Sequence, residues 1–168
     1  VTITDGDIIM RLDPAEVGVM REYAMPLAKQ ALAALQKQYE FKVTGPILIE
    51  MFPKHDQFAV RTIGLPGFIG ALGACFGRVV TLDSPNARDP GEFHWGETLW
   101  HEIAHVITLQ MSKNRLPRWL SEGLSVWEER RARPEWGREM DMSFAQAINE
   151  NKVLKLKVLN EGFSDPQL

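Results

Sequence analysis

Two histidines stand four positions apart in the segment WHEIAHVITL, and a glutamate directly follows the first of them. On an α-helix, residues i and i+4 lie one above the other, so the imidazoles of His101 and His105 project side by side. Two imidazole nitrogens at that separation can both reach one divalent ion about 2.0–2.1 Å away. The spacing therefore predicts that His101 and His105 are metal ligands on one helix.

Glu102 is turned about 100° around the helix axis from His101. From that position its carboxylate is poorly placed to bind the metal, but it can reach a water held there, as a general base requires. The neighbouring residues are mostly apolar, and burying two imidazoles and a carboxylate without partners costs several kcal/mol. A bound cation offsets that cost. The alternative is a pair of core histidines that form ordinary hydrogen bonds.

A glutamate in the segment LPRWLSEGLSVWEERR is the candidate third ligand, because a catalytic zinc takes three protein ligands and keeps a fourth position open. A helix is predicted from Pro117 to about Arg131. Glu122 falls among its apolar residues, and the charged side is expected to begin at Glu128-Glu129. Gly123 is expected to allow close packing against the HEIAH helix. The alternative for Glu122 is a first-turn glutamate favoured by the helix dipole.

These two segments resemble the gluzincin metallopeptidases, in which a glutamate on a following helix is the third zinc ligand. More narrowly, they resemble bacterial peptidase-MA-like domains, where an HExxH helix precedes a P-x-W-L-x-E-G-L-(A/S)-x-(Y/W)-E-E segment. The similarity is specific over about 101–129 and weaker over 64–83. It implies Zn²⁺ bound by His101, His105 and Glu122, with Glu102 as base and proton carrier. It also implies hydrolysis of a bond in a peptide or protein substrate.

The resemblance further implies a small twisted sheet before the active-site helix, with an edge strand lining the cleft. The segment RVVTLD, residues 78–83, is predicted as a strand from its β-branched content. As an edge strand it would offer the backbone of Val79, Val80 and Thr81 to an extended peptide substrate. The alternative is an ordinary central strand.

The group that would stabilise the oxyanion of the tetrahedral intermediate is not assigned. Peptidases of this kind usually use Tyr or His, yet no residue of either type follows His105. His94, Arg115 and Arg118 are the remaining candidates, because Tyr23 and Tyr39 fall on the predicted first helix. This gap supports an alternative function, a catalytically inactive, zinc-stabilised binding or assembly module of the same fold.

Three other polar side chains are predicted to lie apart from the metal ligands. Ser125 lies about one turn after Glu122, and Glu97 lies one turn before His101. Both are read as structural or exposed residues rather than as partners of the imidazoles. His55 is predicted to be a surface histidine.

Strands are predicted mainly in the N-terminal part and helices mainly in the C-terminal part, which gives an α+β fold of the zincin-like type. We expect a small mixed sheet with helices, then the active-site helix, then a mainly helical remainder. Residues 64–77 are rich in glycine and apolar, and are expected to form a packed loop. The remaining predicted elements are two strands within 2–12, a helix from Asp13 to about 40, a strand at 47–52, and helices near 56–62 and 135–150.

The 168 residues are predicted to form a single domain, 1–168, and the initial Val is expected of a fragment of a longer chain. The net charge of −3 and the lack of a basic stripe argue against a nucleic-acid or anionic-membrane surface. One cysteine, Cys75, excludes an internal disulfide and is expected to be buried. No transmembrane segment is predicted. Oligomeric state and compartment are left open, with an exported bacterial domain, periplasmic or extracellular, as one alternative.

Overall fold

A computed structural model describes residues 1–66 and 70–163 of the chain. Its strands are β1 Thr2–Asp5, β2 Ile8–Arg11, β3 Ile47–Phe52, β4 Gly73–Phe76 and β5 Val79–Asp83. Its α-helices are α1 Val17–Gln38, α2 His55–Ile63, α3 Trp95–Ser112, α4 Arg118–Ala132 and α5 Asp141–Asn149. Short 3₁₀ turns cover Pro85–Ala87, Leu156–Val158 and Glu161–Phe163. The predicted α+β class is confirmed. No helix within these described ranges combines the length and the apolar character needed to cross a bilayer.

The strands form one mixed sheet in the order β1-β2-β3-β5-β4. The three inner strands are parallel to one another, and β1 and β4 are antiparallel strands at the two edges. Thr81 is paired with Glu50 on one side and with Ala74 on the other. The prediction that Val79, Val80 and Thr81 form an edge strand is therefore wrong, and the central-strand alternative is right.

The glycine-rich segment 64–77 is only in part the loop that its composition predicts. Residues 67–69 lie outside the described residues. Gly73–Phe76 pair with β5 and form the edge strand on the side of α3. The sequence GACF contains no β-branched residue, so its intrinsic strand propensity is low. Pairing with β5 therefore determines that this segment is a strand.

The main core lies between one face of the sheet and the helices α1 and α3. The register places Met10, Ile49 and Val80 side by side across three strands, so their side chains point the same way. All three are fully buried. Helix α1 begins at Val17, later than predicted, because Asp13 forms a turn in which its carboxylate accepts a hydrogen bond from the Ala15 N–H at 2.9 Å.

Helix α2 covers the opposite face of the sheet. Phe58 and Ala59 are its fully buried apolar residues, and Phe58 is the larger. Polar contacts also tie this helix to the strands: Arg61 to Glu50 at 2.8 Å, Thr62 to Thr81 at 3.1 Å and His55 to Asp83 at 2.8 Å. The prediction of a surface histidine at position 55 is wrong, since that side chain is 16% exposed.

Helix α3 contacts the sheet, α1 and α4, and it is the element that joins the two halves of the structure. A left-handed turn at Lys113 and Asn114 reverses the chain between α3 and α4. After α4, the loop 133–140 replaces the start of the helix that is predicted near 135–150. Its Trp136 is buried edge-on against Trp100 of α3, with ring centroids 6.2 Å apart. This contact holds the end of α4 against α3.

Replacing Phe58 with Ala tests how α2 is held on the sheet. We expect the free energy of unfolding to fall by about 3–4 kcal/mol, because a fully buried ring is lost and a cavity remains. Val60→Ala on the same helix is the control, since Val60 is 50% exposed, and a change within about 1 kcal/mol is expected there. Urea denaturation measures both. Equal losses for the two variants would contradict this packing.

Candidate functional site

Three side chains from two helices converge on one point between α3 and α4. The Nε2 atoms of His101 and His105 are 3.0 Å apart, and Glu122 Oε2 lies 3.2 Å from the first and 3.3 Å from the second. We call these three residues the His-Glu cluster. Ligands about 2.0–2.1 Å from a tetrahedral metal ion are about 3.3 Å from one another. The separations therefore suit a group that could hold a divalent metal ion.

The outer nitrogens of both imidazoles are also occupied. Nδ1 of His101 is hydrogen-bonded to Glu129 Oε1, and because a carboxylate only accepts, the nitrogen must donate. Nδ1 of His105 lies 2.9 Å from Ser121 Oγ and 3.3 Å from Ser125 Oγ, hydroxyls that can accept its proton. With Nδ1 protonated, each Nε2 turns a lone pair toward the centre of the cluster. A cation or a proton at the centre makes that arrangement favourable.

Electrostatics within the cluster also favour positive charge. Burial opposes protonation of His101, but hydrogen bonds to Glu122 and Glu129 outweigh it and raise its pKa to about 10. Burial likewise opposes the carboxylate of Glu122, yet its hydrogen bonds to the two imidazoles hold its pKa well below the usual range. The same side chains that favour a proton on His101 would favour a metal ion in its place.

Glu102 lies beside the cluster, on the side of the sheet. It is 5% exposed, and burial raises its pKa to about 7 although both imidazoles act in the opposite direction. Its Oε2 is buried with no hydrogen-bond partner among the described residues. A Cβ on Gly73 of β4 would lie 2.6 Å from Glu102 Oε1, so only glycine leaves room for this carboxylate. As predicted from the helix geometry, Glu102 is not one of the three converging side chains.

Sequence reasoning missed Glu129. The sequence predicts this residue on the charged side of α4, but it is 5% exposed and contacts His101. The available signal was spacing, because Glu122, Ser125 and Glu129 follow the i, i+3, i+7 pattern of one helix face. The expectation for Gly123 is wrong as well, since no atom lies within 4 Å of a Cβ built there. The close glycine contact is made by the sheet.

Of the two residues read as structural or exposed, Ser125 does contact an imidazole, as described above. Glu97 is buried as a structural residue and accepts a hydrogen bond from the Gly137 N–H at 2.5 Å. Among the oxyanion candidates, His94 is exposed just before α3, and Arg115 is exposed in the turn after it. Arg118 is the one of these three that reaches the cluster within the described structure, with Nε 3.8 Å from Glu122 Oε1.

Within the described part of the chain the two tyrosines make no contact with the His-Glu cluster, and Cys75 lies on β4 near Glu102. Tyr39 donates its hydroxyl to Glu128 Oε1 at 3.0 Å, and Tyr23 is exposed on α1. Cys75 is partly buried and packs against the core, and burial raises the pKa of its thiol. The expected burial of Cys75 is thus met in part, and neither tyrosine is placed as an oxyanion donor.

Glu97 allows a test of buried charge behind the cluster. Burial raises its pKa from 4.5 to about 7, so the folded chain binds this proton more tightly than the unfolded chain and loses stability as the pH rises through that window. Glu97→Gln removes the charge and keeps the acceptor for Gly137. We expect the variant to be more stable by about 2 kcal/mol at pH 8 and by less than about 1 kcal/mol at pH 5. Denaturant titrations at both pH values measure this, and a larger gain at pH 5 would contradict it.

Comparison with known proteins adds one finding. The family model described as Peptidase MA superfamily matches residues 27–167, a range that includes α3, α4 and the whole His-Glu cluster. No curated protein and no solved structure matches the chain. Because the family model covers most of the sequence, the chain belongs to the Peptidase MA superfamily and has a peptidase-like fold.

Proposed function

We propose that this protein is a zinc-dependent peptidase that hydrolyses peptide bonds, with Glu102 as its general base. The observation that carries the proposal is the convergence of two imidazole nitrogens and one carboxylate oxygen within 3.3 Å of one another. Membership of the Peptidase MA superfamily supports it.

His101, His105 and Glu122 would hold the zinc, which suits two nitrogen ligands and one oxygen ligand and leaves a fourth position open. Bound zinc supplies a Lewis acid that polarises a carbonyl and lowers the pKa of a water toward about 7. Glu129, Ser121 and Ser125 keep the imidazoles oriented with Nε2 toward the cluster.

Glu102 would move the proton. It accepts one from the attacking water as the water oxygen bonds to the scissile carbonyl carbon. It then donates that proton to the departing amine as the C–N bond breaks. The raised pKa of this buried carboxyl group, about 7, suits both steps, because a group near the working pH can accept and release a proton. Because no described residue forms a hydrogen bond with Oε2, this oxygen is available to that water.

The substrate would bind along β4 rather than along the predicted Val79–Thr81. The Asp83 N–H donates to the Leu72 carbonyl, which places Gly73 and Cys75 at the positions whose backbone groups point away from β5. Such an edge can accept an extended peptide as an additional strand. Because Gly73 touches Glu102, this pairing would bring the peptide backbone next to the general base.

The second candidate function, an inactive zinc-stabilised module, is supported by one observation. Within residues 1–66 and 70–163, no tyrosine or further histidine contacts the His-Glu cluster. Arg118 is the cationic side chain nearest to Glu122, and it is largely exposed. An inactive module predicts that chelation lowers the melting temperature while no peptide is cleaved.

The two functions are separated by Glu102→Gln. We expect the wild type and this variant to hold about one zinc per chain. Cleavage of a peptide library should fall by a factor of about 10²–10⁴ in the variant, because only the proton acceptor is lost. Glu122→Ala should lose most of the metal. Elemental analysis and mass spectrometry of the cleavage products measure these outcomes. A variant with wild-type turnover would contradict the role of Glu102, and a metal-loaded wild type that cleaves nothing would favour the inactive module.

Glu129→Gln tests whether the carboxylate behind His101 strengthens metal binding. A glutamine accepts a weaker hydrogen bond from Nδ1 and adds no negative charge, so we expect zinc affinity to fall about 10–100-fold. Glu128→Gln is the matched control. Glu128 is the neighbouring buried glutamate, but it contacts Tyr39 and Arg131 rather than an imidazole. Competition with a chromophoric chelator measures both, and equal losses of affinity would contradict the proposed role.

A further inference from the structure

The face of α3 that carries Glu102 continues to the C-terminal end of the helix, and β4 packs along this helix. On α3, Glu102, Leu109 and Lys113 follow the i, i+7, i+11 spacing of one helix face. Strand β4 runs from Gly73 beside Glu102 to Phe76. Phe76 and the C-terminal end of α3 line a cavity of about 640 Å³, whose lining includes Leu109, Lys113 and Arg78. We call it the distal cavity.

The polar side chains of the distal cavity include an excess of hydrogen-bond donors. Arg78 and Lys113 contribute two positive charges, and none of the ten lining residues is acidic. Neither cation has an ion-pair partner among the described residues. Gln110 adds an amide whose Oε1 accepts two hydrogen bonds from Thr44, both at 3.1 Å. Its Nε2 is buried and has no acceptor among residues 1–66 and 70–163. This composition lacks a negatively charged acceptor.

Lys113 and Arg78 differ in whether the fold gives the positive charge another role. Lys113 is the C-cap of α3, where a positive charge is favoured by the helix dipole. Arg78 has no such role. Its guanidinium packs on Gly45, where an added Cβ would lie 2.1 Å from Nη1, and the described residues include no ionic partner for it. The last carbonyls of α3 already accept hydrogen bonds from the N–H groups of Lys113 and Asn114, which reduces their repulsion of an anion.

The distance to the cluster sets the position of a ligand. Along α3, the stretch Leu109–Lys113 lies about 11 Å from the midpoint of Glu102 and His105 at 1.5 Å per residue. An extended peptide covers that distance in about three or four residues. A peptide paired with β4 would therefore carry its third or fourth residue from the scissile bond into the distal cavity.

We infer that the distal cavity is a substrate subsite for a carboxylate, which Arg78, Lys113 and the Gln110 amide bind about three or four residues from the scissile bond. The inference rests on the proposed peptidase function for the position of the bond. The carboxylate belongs either to an Asp or Glu side chain or to the C-terminus of the peptide. The protein would thus select acidic or C-terminal peptide segments.

Binding is tested first on the Glu102→Gln chain, without turnover. The probes are N-acetylglutamate α-amide, which carries a side-chain carboxylate, and N-acetylglutamine, which carries a terminal one. N-acetylglutamine α-amide is the neutral probe. The side-chain amide resonance of Gln110 reports binding in this cavity alone. We expect one of the charged probes to bind about tenfold more tightly than the neutral probe.

The matched variants remove equal charge. Arg78→Gln/Lys113→Gln should abolish the preference for the charged probe. Lys155→Gln/Lys157→Gln, which removes two exposed lysines outside the distal cavity, should leave it unchanged. Equal binding of charged and neutral probes, or equal loss in both double variants, would overturn the inference.

Cleavage of a peptide library by the wild type gives the second readout. We expect enrichment of Asp, Glu or a free C-terminus at the third or fourth residue from the cut, and loss of that enrichment in Arg78→Gln/Lys113→Gln. Glu102-dependent cleavage with no acidic preference would overturn the subsite and leave the peptidase function intact. Selective carboxylate binding with no cleavage would support the cavity as an anion site and overturn the peptidase function.

Discussion

Three atoms that each carry a lone pair face one another across about 3 Å between α3 and α4. In a partly buried setting such an arrangement is repulsive unless a cation or a proton lies among them. The raised pKa of His101 reflects this repulsion, because a proton on the imidazole is stabilised by Glu122 and Glu129. Helix α3 packs against both the sheet and α4. This packing opposes a separation of the three atoms, which would otherwise reduce their mutual repulsion.

The carboxylates in and around the cluster differ in their position relative to the two imidazoles. Glu122 faces the centre directly, Glu129 holds His101 from behind, and Glu102 is buried beside them without a hydrogen-bond partner in the described structure. Glu97 adds a fourth acidic group, with a raised pKa. Such a concentration of acidic groups is costly in a chain that holds no cation. The energetics of the fold and of the cluster are therefore coupled through α3.

Local spacing was enough to predict the parts of the site that depend on one helix at a time. The spacing in HEIAH predicts that the imidazoles of His101 and His105 lie side by side, and the apolar residues around Glu122 indicate that it does not face solvent as an ordinary charged residue. That these three residues bind zinc stays a prediction. Features that depend on pairing between distant segments were not predictable in this way. The interior position of β5, the strand at Gly73–Phe76 and the contact of Gly73 with Glu102 all follow from which strand lies beside which. The charge of Glu129 predicts a solvent-exposed position, whereas its helical spacing from Glu122 and Ser125 predicts the buried position that the structure shows.

Because Gly73 has no side chain, substrate preference could evolve without a change at the reacting centre. Neighbouring strands lie about 4.8 Å apart, so a chain added to this edge would meet the carboxylate of Glu102 through main-chain atoms that every peptide shares. Discrimination among sequences must then arise farther along the molecule, where walls are built from side chains. Residues there can diverge between relatives and redirect the choice of partner, while the reacting centre stays unchanged.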